Sequence, residues 1–205
     1  MIAEHELETK WTLYYQQPGN KDEDYANSIH EIGNFKTVEG FWTYFSHIKR
    51  PIDLPKPIEL HIFRNNFRGM WEDEINREGG KWFIRLKKEY SAQLWEKSVI
   101  ALIGENLIPD VIGAVLAIRE GTDILSFWNR TSNNEELLYD IAKNISTVLD
   151  FPTKTQLRYK RHQEIKDSHK SRQLSYTVGN EKRSNAPSQP NIQLGGKQQS
   201  SEGNK

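Results

Sequence analysis

The chain has 205 residues, which suits one domain with a tail, and its 28 basic and 28 acidic residues cancel. That balance argues against a protein that coats nucleic acid through a broad basic face, so any contact with a polyanion has to be local. The absence of cysteine excludes a disulfide framework, a thiolate zinc site and a cysteine nucleophile. No apolar run approaches a membrane span, and the acidic N-terminus lacks an apolar signal core, so a cytoplasmic protein without a membrane is expected.

Residues 10–16 read as a strand, followed by a polar loop from Pro18 to Asp24 and a second strand over 29–35. Thr37 is placed to cap a helix carrying Val38, Phe41, Trp42, Phe45 and Ile48 at helical spacing. Pro51, Pro55 and Pro57 interrupt the chain before a strand over 58–63 and a loop from Arg64 to Gly80. Another strand is expected over 82–87, then a helix capped by Ser91 with Trp95, Val99, Leu102 and Ile103 on one face. The nearly continuous apolar run 111–118 reads as a central strand, and Gly121-Thr122-Asp123 turns it into a hairpin with 124–129. Ser132 and Glu135 form a capping box for a helix that ends before Pro152, and strands follow over 155–160 and 174–178. From Glu181 to the end only Ala186, Ile192 and Leu194 are apolar, so 181–205 is expected to be a disordered polar tail behind a domain over 1–180. Strands joined by short loops, with three separate amphipathic helices, argue for an α+β fold.

Within the loop before Gly79-Gly80, Met70-Trp71-Glu72-Asp73-Glu74 sets a tryptophan beside three acids. Trp71 offers a π-face, and Glu72 offers two acceptor oxygens next to it. A guanine presents adjacent N–H donors that one carboxylate accepts together, and a methylated, cationic guanine is also drawn to an aromatic face. The plain alternative is a core tryptophan followed by a solvated acidic turn.

Val38-Glu39-Gly40-Phe41-Trp42 precedes this loop. Gly79-Gly80-Lys81-Trp82, Leu94-Trp95-Glu96, Ile103-Gly104-Glu105, Gly113-Ala114-Val115 up to Arg119, and Phe127-Trp128 follow it. In order and spacing the chain resembles the translation initiation factor 4E family, which binds the 7-methylguanosine cap of messenger RNA, over about residues 5–178. Ser46-His47, Arg50-Pro51, Asp123 to Ser126 and Trp128 to Thr131 look like its class II branch, the 4E-homologous proteins. The resemblance implies a curved antiparallel sheet with three helices on its convex face and the cap slot on the concave side.

It also implies roles for particular residues. Tyr25, where class I members carry Trp, would face Trp71 across the base, and Glu72 would accept the guanine N–H groups. Trp128 would touch the methyl group, while Arg119, Lys81 and Arg85 would hold the phosphates. Ile124 stands where class I has a phosphate-contacting lysine, and with Tyr25 this implies weaker cap binding than in class I. The basic segment 161–172 could lie over a second nucleotide. On the convex face His5, Val38, Trp42, Lys97 and Ile100 match the docking surface for a short helix of a partner protein. Glu6 and Lys97 depart from the class I pattern there, which disfavours the ribosome-recruiting scaffold and favours a repressor partner.

The expected function is therefore non-enzymatic: a monomer that binds capped messenger RNA and a partner helix, with no cofactor or metal, and modulates or represses translation. The alternatives are an active initiation factor that recruits the ribosome through a scaffold, and a protein adaptor that has lost the cap. A metal-assisted hydrolase is disfavoured. Alternate side chains of Glu72-Asp73-Glu74 point apart, the six histidines show no ligand spacing, and no glycine-rich phosphate loop or nucleophile elbow is present.

Overall fold

The structure, a computed structural model, describes residues 4–17, 27–163 and 174–179. Its strands are β1 (Glu6–Gln16), β2 (Ile29–Thr37), β3 (Ile58–Arg64), β4 (Gly80–Leu86), β5 (Val111–Ile118), β6 (Asp123–Asn129), β7 (Gln156–Arg161) and β8 (Ser175–Thr177). The helices are α1 (Val38–Phe45), α2 (Glu74–Arg77), α3 (Lys88–Ile103) and α4 (Glu135–Val148). The strands form one curved antiparallel sheet in the order β2-β1-β3-β5-β6-β4-β7-β8. β5 lies between β3 and β6, and all its residues are buried, which is why its sequence is apolar without alternation.

Strand periodicity divides the rest between two faces. Leu13, Leu60, Ile62, Leu116, Phe127 and Trp82 turn to one side, where α1, α3 and α4 cover them with Phe41, Trp95, Leu102, Leu138 and Ile141. The other face is open and reads across the sheet in rows. One row is Thr12-Phe63-Gly113-Trp128-Lys81-Lys160, the next Tyr14-His61-Val115-Ser126-Phe83-Arg158, and the third Gln16-Glu59-Ala117-Ile124-Arg85. A second, smaller core of Tyr14, Phe63, Ile112, Val115 and Trp128 sits on this open face and receives Met70, Trp71 and Ile75 from the β3–β4 loop.

Three local expectations are corrected. Ser91 does not cap α3, which starts at Lys88 straight off β4. Ser91 instead lies in the first turns, buried, with its hydroxyl donating to Lys87 O at 3.4 Å. Asn134, not Ser132, caps α4 and accepts from Leu137 N at 3.1 Å, while Ser132 N is drawn to Glu78 O at 3.0 Å. The 64–80 loop contains the short helix α2. Thr37 does cap α1, its hydroxyl accepting from Gly40 N at 3.0 Å. The 181–205 tail lies outside the described residues.

Gly113, in the first of the open-face rows, is a point of close approach between neighbouring strands. A Cβ there would stand 2.3 Å from Phe63 Cδ1 and 2.6 Å from Ile62 O, and the second contact is with backbone that cannot swing aside. Gly113→Ala is therefore expected to destabilise the fold by about 1–3 kcal/mol, as overpacking does. Urea denaturation checks this through a lower midpoint at an unchanged slope. An unchanged midpoint would mean that the strands part without cost.

Candidate functional site

The Trp71 segment is held from both sides. Asn76 is fully buried, and its side-chain amide donates to Arg68 O at 2.9 Å and Met70 O at 2.7 Å. The first turn of α2 closes on Asp73 O, which accepts from Asn76 N at 2.9 Å and Arg77 N at 3.0 Å. Met70 and Ile75 are packed into the open-face core at the two ends. Between these anchors Trp71 stays half-buried and Glu72 exposed.

The end of β7 supplies the opposing wall. His162 N donates to Gly79 O at 3.1 Å, and the ring is 1% exposed. Its Nδ1 is 2.7 Å from Asn76 O. A carbonyl only accepts, so Nδ1 carries the proton and Nε2 keeps its lone pair, with no partner among the described residues. The ring lies on Trp128, 4.4 Å between centroids at 45°. Burial chiefly, and the Lys81 charge in addition, push the imidazole down to about 4 against the opposing bond to Asn76. The wall is thus neutral at physiological pH. Trp71, Glu72, Arg77, His162 and Gln163 together line a cavity of about 430 Å³.

Cations gather next to it. Lys81 Nζ lies 5.0 Å over the Trp128 ring, and burial pushes its ammonium below the ordinary lysine value, with Lys160 and Arg119 adding to the effect and Glu59 opposing it. Arg119 directly follows β5 and pairs with Glu59 through Nη2. Its backbone N–H donates to Asp123 Oδ1 at 3.0 Å, and Lys88 ties Asp123 and Arg119 O together from α3. Burial alone would raise the Glu59 carboxyl, but His61 and Arg119 outweigh it and hold Glu59 at about 2. His61 Nε2 is 3.5 Å from Glu59 Oε2, an outer-limit contact.

The structure brings Trp71, Glu72, Trp128, Lys81 and Arg119 to the open face. Trp128 is 4% exposed and backs the cavity from beneath His162 rather than lining it. Arg85 is exposed at the far end of β4, opposite Ile124, and lines a different cavity. Tyr25, and 164–172 of the basic segment, lie outside the described residues. On the helical side Val38, Trp42 and Ile100 are exposed at 37%, 46% and 43%, and Lys97 is exposed on the same helix as Ile100. His5 does not stand alone. Its backbone N–H and Nδ1 meet the Glu39 carboxylate at 3.0 and 2.7 Å, and its carbonyl accepts from Val38 N, so it braces the start of α1. Sequence reasoning missed Asn76, Arg77, His162 and Gln163 as site-formers. The histidine within the basic segment was the only signal, and nothing in sequence ties it to Asn76, 86 positions away.

An aromatic face beside a carboxylate, near a buried tryptophan and next to cations, has the chemistry that suits a flat, donor-edged base bearing anionic groups. The sequence profile described as Eukaryotic initiation factor 4E matches residues 6–177. The rice protein named eukaryotic translation initiation factor NCBP is 40% identical over 162 residues, covering 77% of this chain and 71% of its own. Among solved structures, a complex of Caenorhabditis elegans eIF4E-3 with the 4E-binding protein Mextli and a cap analog superposes with a TM-score of 0.75 at 25% identity, covering 80% of this chain and 96% of that one. A complex of Ascaris suum eIF4E-3 with the m7G cap gives a TM-score of 0.72 at 29% identity, covering 78% and 92%. The chain belongs to the eukaryotic initiation factor 4E family. It is a translation factor that binds rather than an enzyme.

His162 also sets a pH expectation. Its folded value, about 4, lies below the free value near 6.5, so the fold prefers the neutral ring. The stability this confers is fully present above pH about 6.5 and is lost as the pH falls toward 4. His162→Phe should flatten the wild-type decline in unfolding free energy over that window, by an amount on the order of 3 kcal/mol at pH 4. Parallel stability–pH curves for the two proteins would show that the ring is not held neutral.

Proposed function

We propose that this protein binds the 7-methylguanosine cap of messenger RNA and modulates translation as a class II member of its family. The observation that carries the proposal is the cavity walled by Trp71 and Glu72 on one side and the neutral His162 on the other. Trp71 stacks on the base, with Tyr25 as its counterpart, and Glu72 accepts the N–H groups of the guanine edge. Trp128 supports the methyl-bearing side through its remaining exposed edge. A neutral His162 matters because an imidazolium there would repel a cationic base. Arg119 and Lys81 take the phosphates, and Arg119 must loosen its pair with Glu59 to do so, which limits affinity. Ile124 adds no cation, in keeping with weaker binding than in class I.

The exposed Val38, Trp42 and Ile100 form a separate anchor for the apolar face of a partner helix on the helix-covered side. Lys97 beside them disfavours a basic partner residue and so favours a repressor partner over a recruiting scaffold. Binding to caps translated in the cytoplasm, without recruiting the scaffold, would lower the translation of bound messages.

Titration with 7-methyl-GTP, followed by intrinsic tryptophan fluorescence, tests the slot. Saturable quenching is expected for the methylated ligand and not for GTP at the same concentrations. Glu72→Gln should weaken binding about 10- to 100-fold, the worth of a charge-assisted hydrogen bond at about 1.5–3 kcal/mol, and Trp71→Ala should abolish the response. No quenching of the wild type at millimolar ligand would sink the cap reading and leave a protein adaptor. On the other face, Trp42→Ala should leave quenching intact while removing capture of a 4E-binding helix; loss of both would mean that the two surfaces are not separate.

A further inference from the structure

Between β4 and β7 the sheet divides. β6 pairs with β4 along its whole length, from Gly80 to Leu86, whereas β7 pairs with it only from Gly80 to Phe83. The first residues of β7, Gln156 and Leu157, pair only with β8, on the other edge of β7. Because His162 N donates to Gly79 O, the backbone groups of the alternate residues Lys81, Phe83 and Arg85 point to the β7 side. Arg85 therefore turns its N–H and C=O into the gap toward Gln156, beyond the last β4–β7 ladder pair at Phe83 and Arg158. Such an edge is a ready template for another strand.

The gap is a groove. A cavity of about 550 Å³ lies between β4, α3 and the 149–156 segment, walled by Phe83, Leu86, Leu94, Leu149 and Phe151. Tyr90 stands at it 51% exposed. Arg85, Lys87, Lys97 and Arg158 also line it, against the single carboxylate of Asp150. None of these four cations has an ion-pair partner among the described residues. In a chain of net charge zero this is a local preference for an anionic visitor. The groove shares no lining residue with the Trp71 cavity, and through Gln93 it adjoins the hollow beside Trp42.

We propose that this groove takes an extended acidic segment of a partner protein, which adds as a strand beside Arg85 and seats alternate apolar side chains against Tyr90, Leu94 and Phe151. The strand edge supplies main-chain hydrogen bonds, the apolar walls select every second side chain, and the cations read the acids between them. A nucleic acid would use the cations and could stack on Tyr90, but it has no use for the strand edge or the aliphatic walls. A partner already anchored at Trp42 could continue into the groove past Gln93, adding affinity through tethering. The groove does not depend on the cap reading.

The probe is the heptapeptide acetyl-Asp-Phe-Glu-Leu-Asp-Phe-Glu-amide, titrated into the isotope-labelled full chain and followed by amide chemical shifts. The control peptide carries Lys in place of each acid. Saturable shifts are expected at Ile84 to Tyr90 and at Arg158, and they should persist in Trp42→Ala. A Lys87→Glu, Arg158→Glu double variant should weaken the peptide on the order of tenfold while 7-methyl-GTP quenching stays unchanged. Lys87→Glu places an acid at the start of α3, where the helix tolerates it. The inference is overturned if the peptide produces no shifts at these amides, if the lysine peptide binds as well, or if binding vanishes with Trp42→Ala. It is equally overturned if oligouridylate shifts the same amides and the peptide does not, since the groove would then be an RNA track.

Discussion

The three longer helices cover one face of the sheet only, and the surfaces of this protein follow from that constraint. Eight antiparallel strands present two faces, and period-2 alternation sends Leu13, Ile62, Leu116 and Phe127 under α1, α3 and α4. The opposite face must then carry its own aromatic and charged residues in contact with water or with a ligand. Part of it is closed by the small core around Phe63 and Trp128, onto which the β3–β4 loop folds. The rest holds the cations and the Glu59–Arg119 pair. An open, polar, aromatic sheet face is poor as a structural core but well suited to a planar charged ligand.

Asn76 converts that open face into a slot. Its side chain fixes the loop that presents Trp71 and Glu72, and its carbonyl fixes the tautomer and position of His162. One buried residue thereby couples the two walls, and both rest on Trp128 through packing. The same contacts keep the histidine uncharged, so Glu72 and Arg77 are the charged side chains lining the cavity. Lys81 stands over Trp128, and Arg119 is paired with Glu59.

The helix-covered side carries separate surfaces because α1 and α3 are amphipathic in an imperfect way. Phe41 and Val99 are buried and satisfy the core, so Trp42 and Ile100, one step around their helices, are left outside. Trp42 packs one side of its ring on Phe41 and Phe45, and the apolar area it leaves outside is available to a partner. The groove at the β4–β7 split arises differently, from two strands whose ladder stops at Phe83 and Arg158 although both run on beyond it.

The sequence by itself determined the strand and helix order, the central place of the apolar 111–118 run, the α+β class, and the pairing of Trp71 with Glu72, because each of these rests on residues close together in the chain. It also carried the family likeness, which the profile match over 6–177 bears out. It did not determine the caps at Ser91 and Ser132. Those hydroxyls are good caps in isolation, but strand β4 runs directly into α3, and Glu78 claims the backbone at Ser132. Whether Trp42 was core or surface was also beyond it, since Phe41 and Phe45 satisfy the same periodicity. Only the tertiary structure brought His162 onto Trp128 and Asn76, and only it set Arg85 at the far end of β4, beside a different cavity. Those outcomes depend on strand register and on how far β7 follows β4, which are long-range pairings that no local pattern encodes.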